Sequence, residues 1–111
     1  MMEGKIIHLL TPKEWEEAMR RGVYKPASLK TEGFIHFSTP EQTLGSAELY
    51  YANENELVAL VVVKKWVKDH LKWEPGRDEE DFPHLYAALK MHFVETTTML
   101  IRGKDGKFDW E

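Results

Sequence analysis

Histidine can act as an acid, a base or a metal ligand near neutral pH, and this 111-residue chain has five histidines. They are His8, His36, His70, His84 and His92. His8 and His36 each lie between large apolar residues, in segments typical of strands that lead directly into helix starts. Binding and catalytic groups are commonly mounted at such strand ends, and an imidazole among apolar residues is not explained as a solvated surface side chain. His8 and His36 are therefore candidates for one catalytic or binding site.

Ser38 follows His36 by two residues, so its hydroxyl should point to the same side of the strand. An imidazole beside a hydroxyl is suited to holding a ribose or another hydroxylated ligand. Two alternatives remain open: each histidine is half buried and bonded to a backbone carbonyl, or His8, His36 and His84 converge on a metal ion. A nucleophilic serine is disfavoured because no Gly-x-Ser-x-Gly elbow surrounds Ser38.

A second segment with side chains that could bind a ligand or catalyse a reaction is WEPGRDEEDFPHLY, from residue 73 to residue 86. Its candidate site residues are Trp73, Glu74, Arg77, His84 and Tyr86. The aromatic rings offer flat faces for stacking, Glu74 offers a carboxylate, and Arg77 offers a charge for a phosphate or carboxylate. The alternative is a surface loop whose aromatic side chains close the core and whose acidic run is solvated.

Composition restricts the class of protein. Hydrophobic residues make up 42% of the chain, which is enough for one core, and we expect a single domain over residues 1–111. A net charge of -4 argues against bulk nucleic-acid binding, and the lack of cysteine excludes thiolate chemistry. The amino terminus lacks the pattern of a signal peptide, and the longest apolar run is too short to span a bilayer. We expect a cytoplasmic protein with no membrane contact and a small-molecule or nucleotide ligand.

Hydrophobic periodicity and turn residues predict an α+β protein with about five or six strands, most of them late in the chain, and two early helices. The predicted elements are a strand at 5–10, a helix at 12–22, an irregular stretch at 23–31, a strand at 34–38, a helix from 39 to about 52, a buried strand at 56–63, a helical turn at 66–71, a short strand at 73–74, a strand at 93–102 and a terminal strand. Residues 85–89 are compatible with strand or helix.

The sequence resembles, in the order and type of these motifs, the bacterial family called domain of unknown function 952. The matching positions run from about Ile6 to Ile101 and include the specific Gly-Phe-Ile-His-x-Ser element. They are His8, Trp15, Ala18, Gly22, Tyr24, Ser28, Leu29, Gly33, Phe34, Ile35, His36, Ser38, Gln42, Trp73, Glu74, Phe82, Pro83, His84, Leu85 and Tyr86.

The resemblance implies a fold similar to that of ADP-ribosyltransferases, a bent and split mixed sheet with an NAD cleft between its halves. It implies catalytic roles for His8, His36, Glu74 and His84, with Glu95 as the other candidate carboxylate. It implies ligand-binding roles for Tyr24, Ser38, Gln42, Trp73, Arg77 and Tyr86. We therefore expect an ADP-ribosyl-class enzyme that uses NAD, a related nucleotide or an ADP-ribosylated small molecule as substrate, or a non-catalytic module that binds such a ligand.

Overall fold

The computed structural model describes residues 2–111, and its elements alternate between short helices and antiparallel strands. The strands are β1 (Lys5–Leu10), β2 (Val23–Tyr24), β3 (Ile35–His36), β4 (Glu56–Val63), β5 (Leu71–Pro75), β6 (Asp81–Leu85), β7 (Leu89–Lys90), β8 (Val94–Arg102) and β9 (Phe108–Trp110). The α-helices are α1 (Pro12–Arg21), α2 (Ala27–Thr31) and α3 (Thr43–Tyr50). Tighter 3₁₀ turns cover Pro40–Gln42, Lys64–His70, Arg77–Glu79 and Met91–Phe93.

The strands form three sheets, in the orders β1-β4-β8-β9, β2-β7 and β3-β6-β5. Every strand pair among these sheets is antiparallel. The largest sheet is joined to the three-stranded sheet by a backbone bridge between Ile7 and Ser38, whose amides each bond the other residue's carbonyl at 2.8 Å. A concave surface therefore lies beside β1, where the two sheets meet.

Strand β4 lies at the centre of the fold because apolar side chains cover both of its faces. Val58, Leu60 and Val62 contribute to one buried cluster. Leu57, Ala59 and Val61 contribute to a second buried cluster on the opposite face. The continuous apolar run is what such a doubly covered strand requires, so the predicted buried strand is confirmed.

Two capping boxes determine how the first and third helices begin. Thr11 accepts a hydrogen bond from the amide of Glu14, whose carboxylate accepts one from the Thr11 amide in return. Thr39 and Gln42 repeat this exchange at the turn that precedes α3. Each box satisfies amides that would otherwise lack a partner, and each follows a strand of the concave surface. The two predicted helix starts are confirmed.

The structure differs from the sequence prediction in several elements. The predicted mixed sheet is wrong, since all named strand pairs are antiparallel, and nine strands replace the expected five or six. The stretch at 23–31 contains β2 and α2, and residues 85–89 are the end of one strand and the start of the next. Strand β6 was not predicted, because the sequence of this segment indicated a possible surface loop with an acidic run, and a proline is unusual in a central strand. Pro83 has no amide hydrogen to pair, while its carbonyl accepts the Phe37 amide.

The α+β class is confirmed by the antiparallel sheets and the few short helices. In residues 2–111, no helix has the length and apolar character needed to cross a membrane.

Truncating Leu100 to alanine should destabilise the fold, because this side chain is fully buried in the cluster beneath β8. Loss of buried contacts together with a residual cavity predicts a fall of about 2–5 kcal/mol in the free energy of unfolding. The control is Ile101→Ala on the next residue of the same strand, which is 37% exposed and should lose less than about 1 kcal/mol. Urea denaturation of both variants tests this, and equal losses would contradict the described core.

Candidate functional site

A cleft of about 510 Å³ opens beside β1, where the largest sheet meets the three-stranded sheet. Six of the ten predicted site residues line it: His8, Tyr24, His36, Ser38, Arg77 and His84. Four of them lie on the strands β1, β2, β3 and β6, Ser38 follows β3, and Arg77 lies on a tight turn. The structure places His8, His36 and His84 along one cleft, and their shared function stays a prediction.

His8 connects two parts of the cleft wall through both of its ring nitrogens. Its Nδ1 lies 2.5 Å from the backbone carbonyl of His36, and its Nε2 lies 2.8 Å from the hydroxyl of Tyr24. A carbonyl can only accept, so Nδ1 carries the hydrogen and Nε2 accepts from the Tyr24 hydroxyl. The chain of bonds therefore runs in one direction, from Tyr24 through His8 to the backbone of β3.

Burial keeps this histidine neutral. Removal of the ring from water lowers the pKa of His8 to about 4, although the backbone bond and the charge of Glu14 act in the opposite direction. Burial also raises the pKa of Tyr24 well above its usual value. At neutral pH the pair is thus an uncharged imidazole and an uncharged phenol, and neither exchanges a proton readily.

His84 forms a different kind of pair with Glu74 on the neighbouring strand. Nδ1 of His84 and the hydroxyl of Tyr86 each lie 2.7 Å from Oε1 of Glu74. The hydrogen bond from Tyr86 is the largest cause that lowers the pKa of Glu74, and the hydrogen bond from His84 is the next. The Glu74 carboxylate in turn raises the pKa of Tyr86. Within residues 2–111 no protein group hydrogen bonds Nε2 of His84, whose ring lines the cleft. The arrangement is a carboxylate–histidine pair of the kind that general acid–base sites use.

His36 lies directly across the strand pair from His84 but is more exposed. The two residues are in register between β3 and β6, and their rings meet edge to face with centroids 5.0 Å apart. The His36 side chain is 52% exposed, and its Nε2 lies 3.2 Å from Glu32. Phe34 stacks on His84 with centroids 4.1 Å apart, which fixes the plane of that ring. Two imidazoles with different surroundings therefore stand side by side at the cleft.

Arg77 supplies positive charge to the same cleft. Its guanidinium donates to the Ser46 hydroxyl at 2.9 Å and to the Gln42 carbonyl at 3.0 Å, and lies 4.7 Å from the Phe82 ring centroid. Its nearest carboxylate, on the largely exposed Asp78, is 3.9 Å away. The bonded acceptors are neutral, so they orient the guanidinium without cancelling its charge. That combination is suited to an anionic ligand group.

The other four predicted site residues do not line the cleft. Glu74 and Tyr86 lie behind His84, as described above. Gln42 caps a helix start and bonds Glu80 and the Asp81 carbonyl. Trp73 is 44% exposed, with the Lys64 ammonium 5.9 Å from its ring centroid. The roles predicted for all ten residues stay predictions.

Several lining residues were not predicted from the sequence. They are Glu14, Glu32, Ser46, Tyr50 and Tyr51, among others. Glu14 lies in the helix that follows the His8 strand, and this position could have placed it near the site. Ser46 bonds both Arg77 and Ser38, at 2.9 and 2.8 Å, and nothing in its helical context distinguishes it.

The alternative of a three-histidine metal site is not supported by this geometry. Both ring nitrogens of His8 are already hydrogen bonded, so neither is available to a metal. No group of three potential ligand side chains in residues 2–111 is arranged to hold a metal ion.

Lowering the pH should destabilise the protein through His8. An unfolded histidine has a pKa of about 6.5. The folded value is about 4, so between these pH values the unfolded chain binds more protons. The stabilisation is present above about pH 6.5 and is lost as the pH falls towards 4, by up to about 3 kcal/mol. NMR titration of the ring nitrogens and urea denaturation across this range test it, with His70→Gln as a control. A His8 that titrates near pH 6.5 would contradict the described burial.

Comparison with known proteins agrees with the early resemblance. The model of the family described as protein of unknown function DUF952 matches residues 9–97. No curated protein matches the chain.

Among solved structures, the chain is similar to protein CC0527 from Caulobacter crescentus. The crystal structure of that protein has 32% sequence identity and a TM-score of 0.86, over 95% of this chain and 93% of that chain. Its solution NMR structure has the same identity and a TM-score of 0.82, over 94% and 90% of the two chains. Since the family model spans most of the chain and the described elements match a solved structure, the protein belongs to the DUF952 family.

Proposed function

We propose that the protein is an enzyme of the ADP-ribosyl class whose cleft binds NAD, a related nucleotide or an ADP-ribosylated small molecule. The observation that carries this proposal is the Glu74–His84 pair, whose histidine lines a cleft that is also lined by Arg77. A general acid or base and a group for phosphate are the two functions that such a reaction needs in one cavity.

The proposal includes an ADP-ribosyltransferase-like fold. Its support is the division of the strands into separate sheets with a cleft at their junction, which agrees with the split sheet and NAD cleft implied by the family resemblance. The antiparallel pairing departs from the mixed sheet of that analogy. Because unrelated activities share folds, the site chemistry has to carry the functional proposal.

In the proposed reaction, the bond between the ribose carbon and its base breaks, and its electron pair leaves with the base. His84 accepts a proton at Nε2 from the attacking hydroxyl or water, whose oxygen forms the new bond to the ribose carbon. Glu74 holds the imidazole in the required tautomer and stabilises its positive charge after proton transfer. Arg77 binds the phosphates, and Ser38 contributes to their surroundings through Ser46. Glu74 therefore acts through His84 rather than on the sugar directly.

A non-catalytic binding module is the second candidate, and one observation favours it. The glutamate that the family resemblance assigns to the sugar is hydrogen bonded to His84 and Tyr86 and does not line the cleft. A cleft whose glutamate is hydrogen bonded to other side chains, and so cannot contact the sugar, would bind a nucleotide without catalysing its reaction. The two candidates differ in turnover and agree in binding.

Replacing Glu74 by glutamine should separate the two candidates. For an enzyme, loss of the orienting charge should lower kcat by about 100-fold or more, with KM changed only a few-fold. The matched control is Glu95→Gln, whose carboxylate pairs with Lys5 outside the cleft and should leave kcat unchanged. Release of nicotinamide from NAD is the measurement, with NMR shifts of the histidines during titration with NAD, ADP-ribose and nicotinamide. Binding without release would favour the module, and unmoved His36 and His84 signals would contradict both.

Replacing Arg77 by methionine should weaken phosphate recognition selectively. Loss of a charge-assisted interaction should weaken ADP-ribose binding by about tenfold or more, while nicotinamide binding changes little. Arg21→Met is the control, because Arg21 is exposed on α1 and pairs with Glu17. Calorimetric titration of the three proteins measures the difference. Equal affinities of wild type and the Arg77 variant for ADP-ribose would show that the phosphates bind elsewhere.

A further inference from the structure

The end of the cleft near α1 has two tyrosine hydroxyls whose hydrogens are already donated to groups of the protein. Tyr24 and Tyr51 both line the cleft. The Tyr24 hydroxyl donates to Nε2 of His8 at 2.8 Å, and the Tyr51 hydroxyl donates to the carbonyl of Leu9 at 3.2 Å. Neither partner has a hydrogen to give back, so both bond directions are fixed. Each hydroxyl has only lone pairs left for a ligand.

Glu14 adds a negative charge to these two acceptors. Its carboxylate lines the same cleft, and its charge contributes to raising the pKa of Tyr24 and that of Tyr51, the latter to about 12 after burial as the main cause. Its Oε1 accepts from the amide and hydroxyl of Thr11. Among residues 2–111, no donor bonds its Oε2, and no lysine or arginine forms an ion pair with it. A carboxylate that forms no ion pair within residues 2–111 therefore lines the same cleft as two uncharged acceptors.

We propose that Glu14, Tyr24 and Tyr51 form a subsite for an organic cation that carries N–H donors, such as a guanidinium or an ammonium group. Three acceptors without a competing donor match a group that has several hydrogens and no lone pair. An anion would meet the charge of Glu14 and two sets of lone pairs, so it is disfavoured there. His8 is a positioning residue in this subsite, because it fixes the Tyr24 hydroxyl without bonding the ligand.

The cationic subsite rests on the proposed function, because it lies in the cleft to which that function assigns the substrate. Arg77, another lining residue, offers donors and positive charge, whereas the tyrosine subsite offers acceptors and negative charge. The cleft is thus polarised, and a ligand that uses both regions bears an anionic group and a cationic N–H group. In a transfer reaction these groups belong to one substrate or to a donor and an acceptor bound together.

Methylguanidinium and methylurea are the matched probes, since both are planar and donate through N–H groups while only the first is charged. NMR titration of the full chain should show methylguanidinium shifting the signals of Tyr24 and Tyr51, with methylurea at least about fivefold weaker. Glu14→Gln should weaken methylguanidinium about threefold to fivefold, the range expected for one exposed charge pair. The variant should keep its fold, because glutamine forms the same capping box at Gln42. Glu16→Gln, exposed on the same helix, is the control and should change nothing.

Titration with ADP-ribose separates this subsite from the proposed function. Binding of both ADP-ribose and methylguanidinium supports both inferences. Binding of ADP-ribose alone, or of methylurea as tightly as methylguanidinium, overturns the cationic subsite and leaves the nucleotide cleft. Binding of methylguanidinium alone supports the subsite and argues against the nucleotide. D-ribose shifting the two tyrosines where methylguanidinium does not would assign the subsite to hydroxyl groups, and would overturn its preference for a cation.

Discussion

The hydrogen bond from His8 to the backbone carbonyl of His36 is the interaction on which the cleft depends. It lies next to the Ile7–Ser38 bridge, so adjacent residues of β1 contact the end of β3 and the residue two positions after it. A buried polar group that loses its partner costs about 1–3 kcal/mol, which makes any other register of these strands unfavourable. The relative position of the two sheets, and with it the shape of the cavity, follows from this contact.

The same contact determines which chemistry each histidine can perform. His8 is neutral and bonded at both nitrogens, so its function is to hold Tyr24 and the backbone of β3. His84 is hydrogen bonded to the Glu74 carboxylate through Nδ1, and this residue lines the cleft. His36 is exposed and pairs with Glu32. The three histidines thus have three different environments, which differ in burial and in hydrogen-bond partner.

Sequence reasoning was most successful where local chemistry determines the structure. The Thr11 and Thr39 caps and the apolar run of β4 were predictable, because neighbouring residues satisfy their amides or specify their burial. Strand β6 was not predicted, since its pairing depends on residues far along the chain, such as Phe37, whose amide bonds the Pro83 carbonyl. The hydrogen bonds to both His8 nitrogens were not predicted either, because the partners, Tyr24 and His36, are 16 and 28 residues away.

Under the proposed function, the positions of the charged groups give a reason for Glu74 to act through a histidine. A carboxylate directly beside phosphates bound at Arg77 would repel them, and the attraction of the guanidinium would be partly cancelled. Glu74 avoids this because its carboxylate is hydrogen bonded to His84 and Tyr86 and does not line the cleft, whereas His84 does. In the proposed cationic subsite, Glu14 lies with hydrogen-bond acceptors, where a negative charge would favour a cationic group. Separation of the two signs of charge within one cavity would then orient an unsymmetrical ligand before any chemistry begins.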